Sequence, residues 1–484
     1  MNNYWKSADE ARIYKNKAQE DEIITVEGVK KYLSHSDDIV LNPFFFGGTG
    51  AHICCIDGLV NDATIDENIL SAFHKIDAFK HCTSQKKAVE LIEKGFVNHS
   101  SYRITDSMKA LIEGILSANY ALIFENEGKA VIFDAKGFEK RSIEQSDSEA
   151  VLKGSKDAFS EPIRVNTAIL RRHIKSNNLV IRQINIGSEA TTIIAIAYMK
   201  NMAEPDLVEA VEKRIKSIND GAIVSAGQIE AALDGFEHSI FPKVLYTERA
   251  DKLAANILNG RVGVLIDGYP VSYICPSQLA MFLQAPEDYS DKAFFSSFIR
   301  FIRYLCLALS IFTPALYIAI VNYDCEIIPS KLAMSIMESR QGVPFEPFVE
   351  VIIMLIAFEI LIESGLRLPK GIGQTVSIVA GLIIGEAAIE AGLVSPAVVM
   401  VTAISGVTVF VIPYQDFEKP IRIIRLIMLI FAQLGGLFGV ASGFILLLLY
   451  LNSIESFSLP YFAPFSSDSI KKWLKDTIIR GSLK

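Results

Sequence analysis

The apolar and polar positions divide the chain into two parts that meet near residue 290. Before that point, short apolar runs alternate with charged stretches. ALIFEN and KAVIFDA predict a β-hairpin around Glu127-Gly128, and RVGVLIDGYPVSYICP predicts another around Asp267-Gly268. LVIRQINIG and TTIIAIAYM predict two further strands, and AHICCIDGLV predicts one that ends in an Asp-Gly turn.

Helical periodicity appears between these strands. PDLVEAVEKRIKSI begins at Pro205 and places Leu207, Val211, Ile215 and Ile218 on one face, which indicates a helix packed on a core. SAGQIEAAL and TERADKLAANILNG predict two more helices, the second stopped by its final glycine. Strands and helices that interleave in this way favour two small α/β or α+β lobes.

After residue 290 long apolar segments dominate. Five of them have about the 20 residues that a helix needs to cross a bilayer, and they lie at about 299–321, 346–365, 374–393, 395–413 and 424–451. The predicted fold class is an α+β/α chain with a cytoplasmic amino-terminal half of two small mixed α/β lobes and an all-α, multi-span membrane domain of about five helices. The expected divisions are a polar tail (1–40), a first soluble lobe (41–160), a second soluble lobe (161–290), a transmembrane helical domain (291–452) and a basic tail (453–484).

Charge restricts the topology. The net charge of −8 comes mostly from the first part, and no large basic block suggests nucleic-acid binding. The start of the chain lacks an apolar signal segment. Lys and Arg lie in alternate connections: Arg300 and Arg303 before the first span, Arg367 and Lys370 between the second and third, and Lys419, Arg422 and Arg425 between the fourth and fifth. Both observations predict a cytoplasmic amino-terminal half. The tail KKWLKDTIIRGSLK is also basic, yet five spans would place it outside, so either one segment is re-entrant or interfacial, or the tail breaks the rule.

Four carboxylates stand inside the apolar segments. Glu359 and Glu363 are four residues apart on the second segment, and Glu386 and Glu390 repeat that spacing on the third. An ionised group near mid-bilayer costs about 3 kcal/mol or more, so such residues usually face a bundle interior or a water-filled ion path. Glu363 could instead lie at the membrane interface or form an i,i+4 pair with Arg367.

Small residues in the same segments suggest close helix packing. Gly381 and Gly385 form one GxxxG motif, and Gly435 and Gly439 form another.

Little in the first part suggests catalysis. LNPFFFGGTG has glycines but no GKS or GKT ending, so it predicts a tight turn rather than a phosphate loop. The six cysteines form no CxxC pair or Cys/His metal spacing, and His35, His52, His81 and His173 are isolated. We therefore expect no enzyme activity, no cofactor and no metal.

An ordered series of stretches, from about IDGLVN to about Pro464, carries a family resemblance. It includes KDAFSE, NTAILRRHIK, PDLVEAVEKRI, TERADKLAANILNGRVGVLIDGYP, PEDY, IIPSKLAMSI, GVPFEPFVE, ESGLRLPKGIGQTVSIVAGLIIGEAAIEAGLVSP and SFSLPYFAP. Together they resemble the A subunit of the GerA family of spore germinant receptors. Two stretches depart from the family pattern: SIFP (Ser239 to Pro242) replaces Ser-Pro-Phe-Pro, and TERAD (Thr247 to Asp251) replaces TERPD.

The resemblance implies a subunit of a nutrient sensor in the endospore inner membrane. It implies a homo-oligomer, with a pentamer as the family's proposed state, around a nutrient-gated cation channel that triggers germination. It also implies two partners, a B subunit that binds the nutrient and a lipoprotein C subunit. In that arrangement Glu359, Glu363, Glu386 and Glu390 would line or brace the ion path.

Three alternatives stay open at this point. The related stage V sporulation paralogue shares the architecture and is thought to form a downstream, amplifying ion channel. Broken helices with intramembrane carboxylates also fit a secondary transporter, although the spans show no repeat. A non-conducting membrane scaffold is the third alternative.

Overall fold

The computed structural model describes residues 22–33, 35–97, 101–137, 149, 155, 157–218, 221–235, 239–366, 381, 383–465 and 477–480. The chain forms two compact units. The first comprises Met1–Glu237 and Lys243–Pro276, and the second comprises His238–Pro242 and Ser277–Lys484. A mixed α/β region is thus followed by a helical one, as the sequence predicted.

The first unit contains two antiparallel five-stranded sheets, with the strand orders β1-β2-β4-β5-β3 and β6-β7-β9-β10-β8. The strands of the first sheet are β1 (Ile39–Phe46), β2 (Thr49–Ile56), β3 (Tyr102–Thr105), β4 (Tyr120–Phe124) and β5 (Lys129–Phe133). Those of the second are β6 (Leu179–Ile186), β7 (Thr192–Met199), β8 (Leu245–Thr247), β9 (Val262–Ile266) and β10 (Ser272–Cys275). The main helices of this unit are α1 (Val26–Leu33), α2 (Gln85–Glu93), α3 (Met108–Leu116), α4 (Ile163–His173), α5 (Pro205–Lys216), α6 (Ala226–Asp234) and α7 (Ala250–Leu258).

The predicted strands and hairpins of this unit are confirmed. Gly128 adopts a left-handed conformation between β4 and β5, where the Glu-Gly turn was expected. The GGTG stretch is the turn between β1 and β2. Gly47 there has φ +54°, and a Cβ would lie 2.7 Å from the Cys82 carbonyl oxygen, so only glycine fits without strain.

The predicted helices are also present, with one change in a buried face. In α5, Val208, Val211 and Ile215 are buried, whereas the predicted stripe began at Leu207, which is only partly covered. Val211, Ile215 and Ile218 are buried as predicted, and Val208 replaces Leu207 at the start of the stripe while keeping an i,i+3 spacing to Val211.

A buried ion pair joins the segment that precedes β1 of the first sheet to α4, which precedes the second sheet. Arg171 of α4 donates from Nε to Asp38 Oδ2 at 2.7 Å and from Nη2 to Asp38 Oδ1 at 2.9 Å. Arg171 is 1% exposed and Asp38 2%. Arg171 Nη2 also donates to Ser36 Oγ at 2.7 Å, and Ser36 Oγ accepts from the Ile181 N–H of β6. The two lobes of this unit are thus tied by a closed polar network.

A buried carboxyl at the end of α6 gives a pH-dependent prediction. Burial raises the pKa of Asp234 to about 6 from an ordinary 3.8, although Oδ1 accepts from the Lys243 N–H at 3.1 Å. Since the folded-state pKa is the higher one, the contribution of Asp234 to stability is greatest below pH 4 and is lost as pH rises through 6. Asp234→Asn is expected to stabilise α6 and β8 at pH 7.5 by up to about 3 kcal/mol, with little effect at pH 4.

Hydrogen–deuterium exchange of peptides covering residues 226–247, corrected for intrinsic exchange rates, measures this difference at both pH values. Asp206→Asn, a change at an exposed carboxyl in the first turn of α5, is the control. Lower protection in Asp234→Asn at pH 7.5 would show that the ionised carboxylate stabilises the fold, contrary to this prediction.

The second unit is helical. Its main helices are α8 (Ala293–Asn322), α9 (Ser330–Ser339), α10 (Pro347–Leu366), α11 (383–390), α12 (Pro396–Val409) and α13 (Gln415–Ser453), followed by a small hairpin of β11 (Glu455–Ser456) and β12 (Leu459–Pro460). Among the described residues, α8 and α13 are long and apolar enough to cross a membrane. With 30 residues, α8 starts six residues before the predicted span and is about 45 Å long.

The last helix, α13, reverses direction in its middle. Gly435 and Gly436 have non-helical backbone angles, and Gly436 has φ +53°. A Cβ at Gly443 would lie 2.9 Å from Met428 Sδ, although a straight helix would separate these residues by about 22 Å. The prediction of one continuous span at 424–451 is therefore wrong, because two glycines allow the backbone to turn back on itself.

The two arms of this hairpin, residues 415–434 and 437–453, begin and end together. The Phe241 ring centroid lies 5.7 Å from that of Phe417 in the first arm and 6.2 Å from that of Tyr450 in the second. Aromatic contacts therefore hold the base of the hairpin closed.

The hairpin tip and the described tail residues 477–480 lie at opposite ends of α8. The Tyr323 hydroxyl, just after α8, donates to the Gln433 carbonyl at the hairpin tip at 2.5 Å. At the other end, the Arg480 N–H donates to Ser297 Oγ in the second turn of α8 at 3.0 Å. The described tail residues 477–480 therefore lie at the same end of the helical unit as the start of α8.

Candidate functional site

An ion-pair cluster connects α10 with the first arm of α13. Glu359 Oε1 accepts from Arg425 Nη2 at 2.8 Å, and Glu359 Oε2 accepts from Arg422 Nη1 at 3.2 Å. Arg422 also donates to Glu418, one turn earlier, at 3.1 Å. Two carboxylates and two guanidinium groups balance in charge, which lowers the cost of placing them among apolar helices.

Arg425 extends this cluster into a relay that reaches α8. Arg425 Nη1 donates to Ser405 Oγ of α12 at 3.1 Å, and Ser405 Oγ donates to the Ser310 carbonyl of α8 at 2.7 Å. Pro314 has no N–H, so the carbonyl of Ser310, four residues earlier, lacks its helical donor. The Ser405 hydroxyl replaces that donor. One hydrogen-bonded chain thus links α8, α12, α13 and α10.

A second buried carboxylate caps α12. Glu350, in the first turn of α10, is fully buried and Oε2 accepts from the Ser395 N–H at 2.8 Å. Ser395 is the N-cap residue of α12, where backbone donors lack helical partners and negative charge is favoured. Glu350 Oε1 also lies 3.4 Å from Arg340 Nε. Glu350 therefore joins α10, α12 and the segment after α9.

A third cluster lies at the start of α8. Asp288 accepts from Arg300 Nε at 2.9 Å and from Arg303 Nη1 at 2.7 Å, and all three residues are buried. Asp288 belongs to the PEDY stretch, so this cluster gives that stretch a structural role. It also turns the charges of the first turns of α8 inward.

The other predicted carboxylates are placed differently from Glu359. Glu386 and Glu390 lie on α11 and are exposed, and Glu363, near the end of α10, is exposed as well. The position of Arg367, its possible i,i+4 partner, lies outside the described residues. Glu363, Glu386 and Glu390 are thus on the surface of the chain, whereas Glu359 faces Arg422 and Arg425.

The four predicted packing glycines fall into two pairs. A Cβ at Gly385 would lie 3.2 Å from Val399 Cγ1 of α12, and one at Gly381 would lie 3.8 Å from Phe358 Cε1 of α10. Gly435 is at the hairpin turn, with nothing near its Cβ position, and Gly439 packs directly against the Phe431 carbonyl of the opposite arm.

Sequence reasoning did not find the arginine partners. Arg422 and Arg425 counted as positive residues of a connection between spans, but they lie inside α13. Their i,i+3 spacing, with Glu418 four residues before Arg422, was the available signal of one charged face. Among the described residues, no group of three or more His, Cys, Asp or Glu side chains could hold a metal ion.

The sequence profile described as "Bacillus/Clostridium GerA spore germination protein" matches residues 27–484. The chain belongs to the GerA family.

Several relatives of this GerA-family protein are known from Bacillus subtilis (strain 168). Spore germination protein B1 is 34% identical over 457 residues, which cover 94% of this chain and 93% of the relative. Spore germination protein A1 is 32% identical, with 87% and 86% covered. The uncharacterized membrane protein YfkQ is 35% identical, with 90% and 84% covered.

One solved structure is similar to part of this GerA-family protein. It is the N-terminal domain of the A subunit of the Bacillus megaterium spore germinant receptor GerK3. It is 25% identical, covers 54% of this chain and 98% of that chain, and has a TM-score of 0.43.

Proposed function

We propose that this GerA-family protein is the A subunit of a spore germinant receptor and forms, as a homo-oligomer, a nutrient-gated cation channel. The observation that carries the proposal is the exposure of Glu386 and Glu390 on α11, within a helical unit rich in apolar surface. Exposed carboxylates are costly against lipid, so they favour a position against water or another subunit. Repeated around an axis, they would form acidic rings that attract cations.

Glu359 has a bracing role in this proposal. Its charge is already balanced by Arg422 and Arg425, so it contributes little field to a cation path. The relay through Ser405 and Ser310 instead fixes α10 and α12 against α8 and α13. Glu363, exposed one turn after Glu359, is a third candidate for the ion path.

The hairpin of α13 supports an even number of crossings. In this proposal α8, α10 and the spans predicted at 374–393 and 395–413 cross once each, and the two arms of α13 enter and leave on the same side. The basic tail would then share the side of Arg300 and Arg303, as the positive-inside rule requires. This arrangement agrees with a cytoplasmic, spore-core position for the amino-terminal half and with an endospore inner-membrane location.

The family relationship supports two partners. A B subunit would bind the nutrient, and a lipoprotein C subunit would complete the receptor.

The charge-neutralised variant Glu386→Gln/Glu390→Gln tests the proposal. We expect nutrient-triggered potassium release from spores to fall about tenfold, because the variant loses the acidic rings that attract cations. A tenfold fall corresponds to a rise of about 1.4 kcal/mol in the barrier for cation passage. Potassium efflux is followed with an ion-selective electrode, and immunoblots of spore membranes establish equal amounts of protein.

Glu338→Gln, at an exposed carboxyl of α9, is the matched control and should release potassium at the wild-type rate. Unchanged efflux and ion selectivity in the double variant would remove Glu386 and Glu390 from the ion path. A strain that lacks the protein but still releases potassium at the wild-type rate after nutrient addition would instead favour the alternative of a downstream, amplifying channel.

A further inference from the structure

The first three turns of α8 have an inverted distribution of polar and apolar side chains. Phe294, Phe295, Phe298 and Phe301 are each more than half exposed. Every exposed side chain from Phe294 to Leu305 is apolar. These four phenylalanines form a surface that we call the aromatic collar.

The charged side chains of the same turns point toward the interior of the protein. Arg300 and Arg303 are buried against Asp288, and the Ser296 hydroxyl donates to the Asp288 carbonyl at 2.7 Å. In water, an amphipathic helix would expose its arginines and bury its phenylalanines. Here both arginines are buried and share the Asp288 carboxylate, so the outer surface of these turns is apolar.

The length of α8 indicates what covers the collar. At about 45 Å, the helix matches a whole bilayer with both headgroup layers, whereas the hydrocarbon core alone is about 30 Å thick. The collar occupies about the first 10 Å of the helix and continues directly into its membrane-spanning surface. Trp and Tyr are the aromatic residues enriched at this depth in membrane proteins, and phenylalanine occurs on the apolar faces of helices that lie at the headgroup–acyl boundary.

We propose that the aromatic collar lies at the headgroup–acyl boundary of the bilayer and anchors the start of α8 there. The occupant of this surface is lipid, and the buried Asp288 cluster allows the contact by removing charge from the outer face. The proposal requires α8 to lie in a bilayer but does not require the cation path. Failure of the Glu386→Gln/Glu390→Gln experiment would therefore leave it intact.

Tryptophan fluorescence in brominated lipid tests this proposal. The two native tryptophans, Trp5 and Trp473, are replaced with phenylalanine, and Phe298→Trp or Phe294→Trp is introduced into the full-length chain. The protein is reconstituted into phosphatidylcholine vesicles with brominated acyl chains. A side chain at the headgroup–acyl boundary should lose about half or more of its fluorescence.

Phe45→Trp is the matched control, because Phe45 is equally exposed but lies on β1 of the first unit. It should be quenched by acrylamide in solution and not by brominated lipid. Quenching of both collar positions by acrylamide alone would place the collar in water and overturn the proposal. Shielding from both quenchers would overturn it as well, since a second copy or another protein would then cover the collar.

Discussion

Replacing Arg425 with alanine is expected to destabilise the helical unit by about 3 kcal/mol. Arg425 is 3% exposed and donates to both Glu359 and Ser405. Its removal leaves Glu359 with Arg422 alone and takes a donor from the Ser405 hydroxyl. Glu359 is 34% exposed and keeps one of its two cations, so the loss comes mainly from the buried hydrogen bonds of Arg425, and a bond to a charged group contributes about 1.5 to 3 kcal/mol. The midpoint of thermal unfolding of the full-length protein in detergent should fall accordingly.

Lys419→Ala is the matched control for this loss. Lys419 lies on the same arm of α13, is 72% exposed and pairs with Asp416 at the surface, so its removal should cost less than about 1 kcal/mol. The double variant Glu359→Gln/Arg425→Met should recover most of the stability, because it removes both charges together and leaves Arg422 paired with Glu418. An Arg425→Ala variant that unfolds at the wild-type temperature would show that the relay does not hold these helices together.

Replacing Arg171 with alanine is expected to cost the first unit about 3 to 5 kcal/mol. Asp38 would stay buried without a cation, and Ser36 would lose one of its donors. Since these residues connect the segment before β1 to α4 and β6, the contact between the two lobes should loosen. Pulse proteolysis of the full-length chain in increasing urea measures the unfolding of this unit.

The neighbouring residue provides the comparison. Arg172 is 37% exposed and lies 3.7 Å from Asp157, so Arg172→Ala should change stability by less than about 1 kcal/mol. Arg171→Lys should be intermediate, because a single ammonium group cannot form the two parallel bonds to Asp38. Equal urea midpoints for Arg171→Ala and Arg172→Ala would contradict the proposed role of the buried pair.

The secondary structure of the first unit followed closely from sequence, for local reasons. Gly128 lies at the hairpin turn that was predicted there, and Gly47 lies in the tight turn predicted for LNPFFFGGTG, because a positive φ restricts those positions to glycine or a few other residues. The LNPFFF part of that stretch belongs to β1, which was not predicted. Pro205 marks the start of α5 because its fixed φ suits a first helical residue. These signals depend on neighbouring residues, so one sequence is enough to find them.

The partners of charged residues were not predictable in the same way. Glu359 is 63 residues from Arg422 and 66 from Arg425 along the chain, and Asp38 is 133 residues from Arg171. Without the fold, Glu359 had the same intramembrane pattern as Glu386. The structure separates them, since one faces two arginines and the other is exposed.

The GxxxG motifs show the same limit. Gly381-Gly385 and Gly435-Gly439 have identical spacing, yet the first pair lies beside neighbouring helices and the second surrounds a chain reversal. A glycine permits both close packing and an unusual φ, and only the surrounding contacts decide which occurs.

The sequence by itself determined seven of the ten strands and several helices of the first unit, the apolar character of the second and the family of the protein; β1, β3 and β8 were not predicted. These depend on local backbone preferences, on hydrophobic periodicity and on an ordered set of short stretches. The tertiary structure alone decided the reversal of α13, the pairing of Glu359 and the inward turn of Arg300 and Arg303. The physical reason is that a charged side chain is stabilised by whatever lies within a few ångströms of it. For Glu359 those neighbours are 63 and 66 residues away along the chain, and even Asp288 is separated from Arg300 by 12 residues and a change of element.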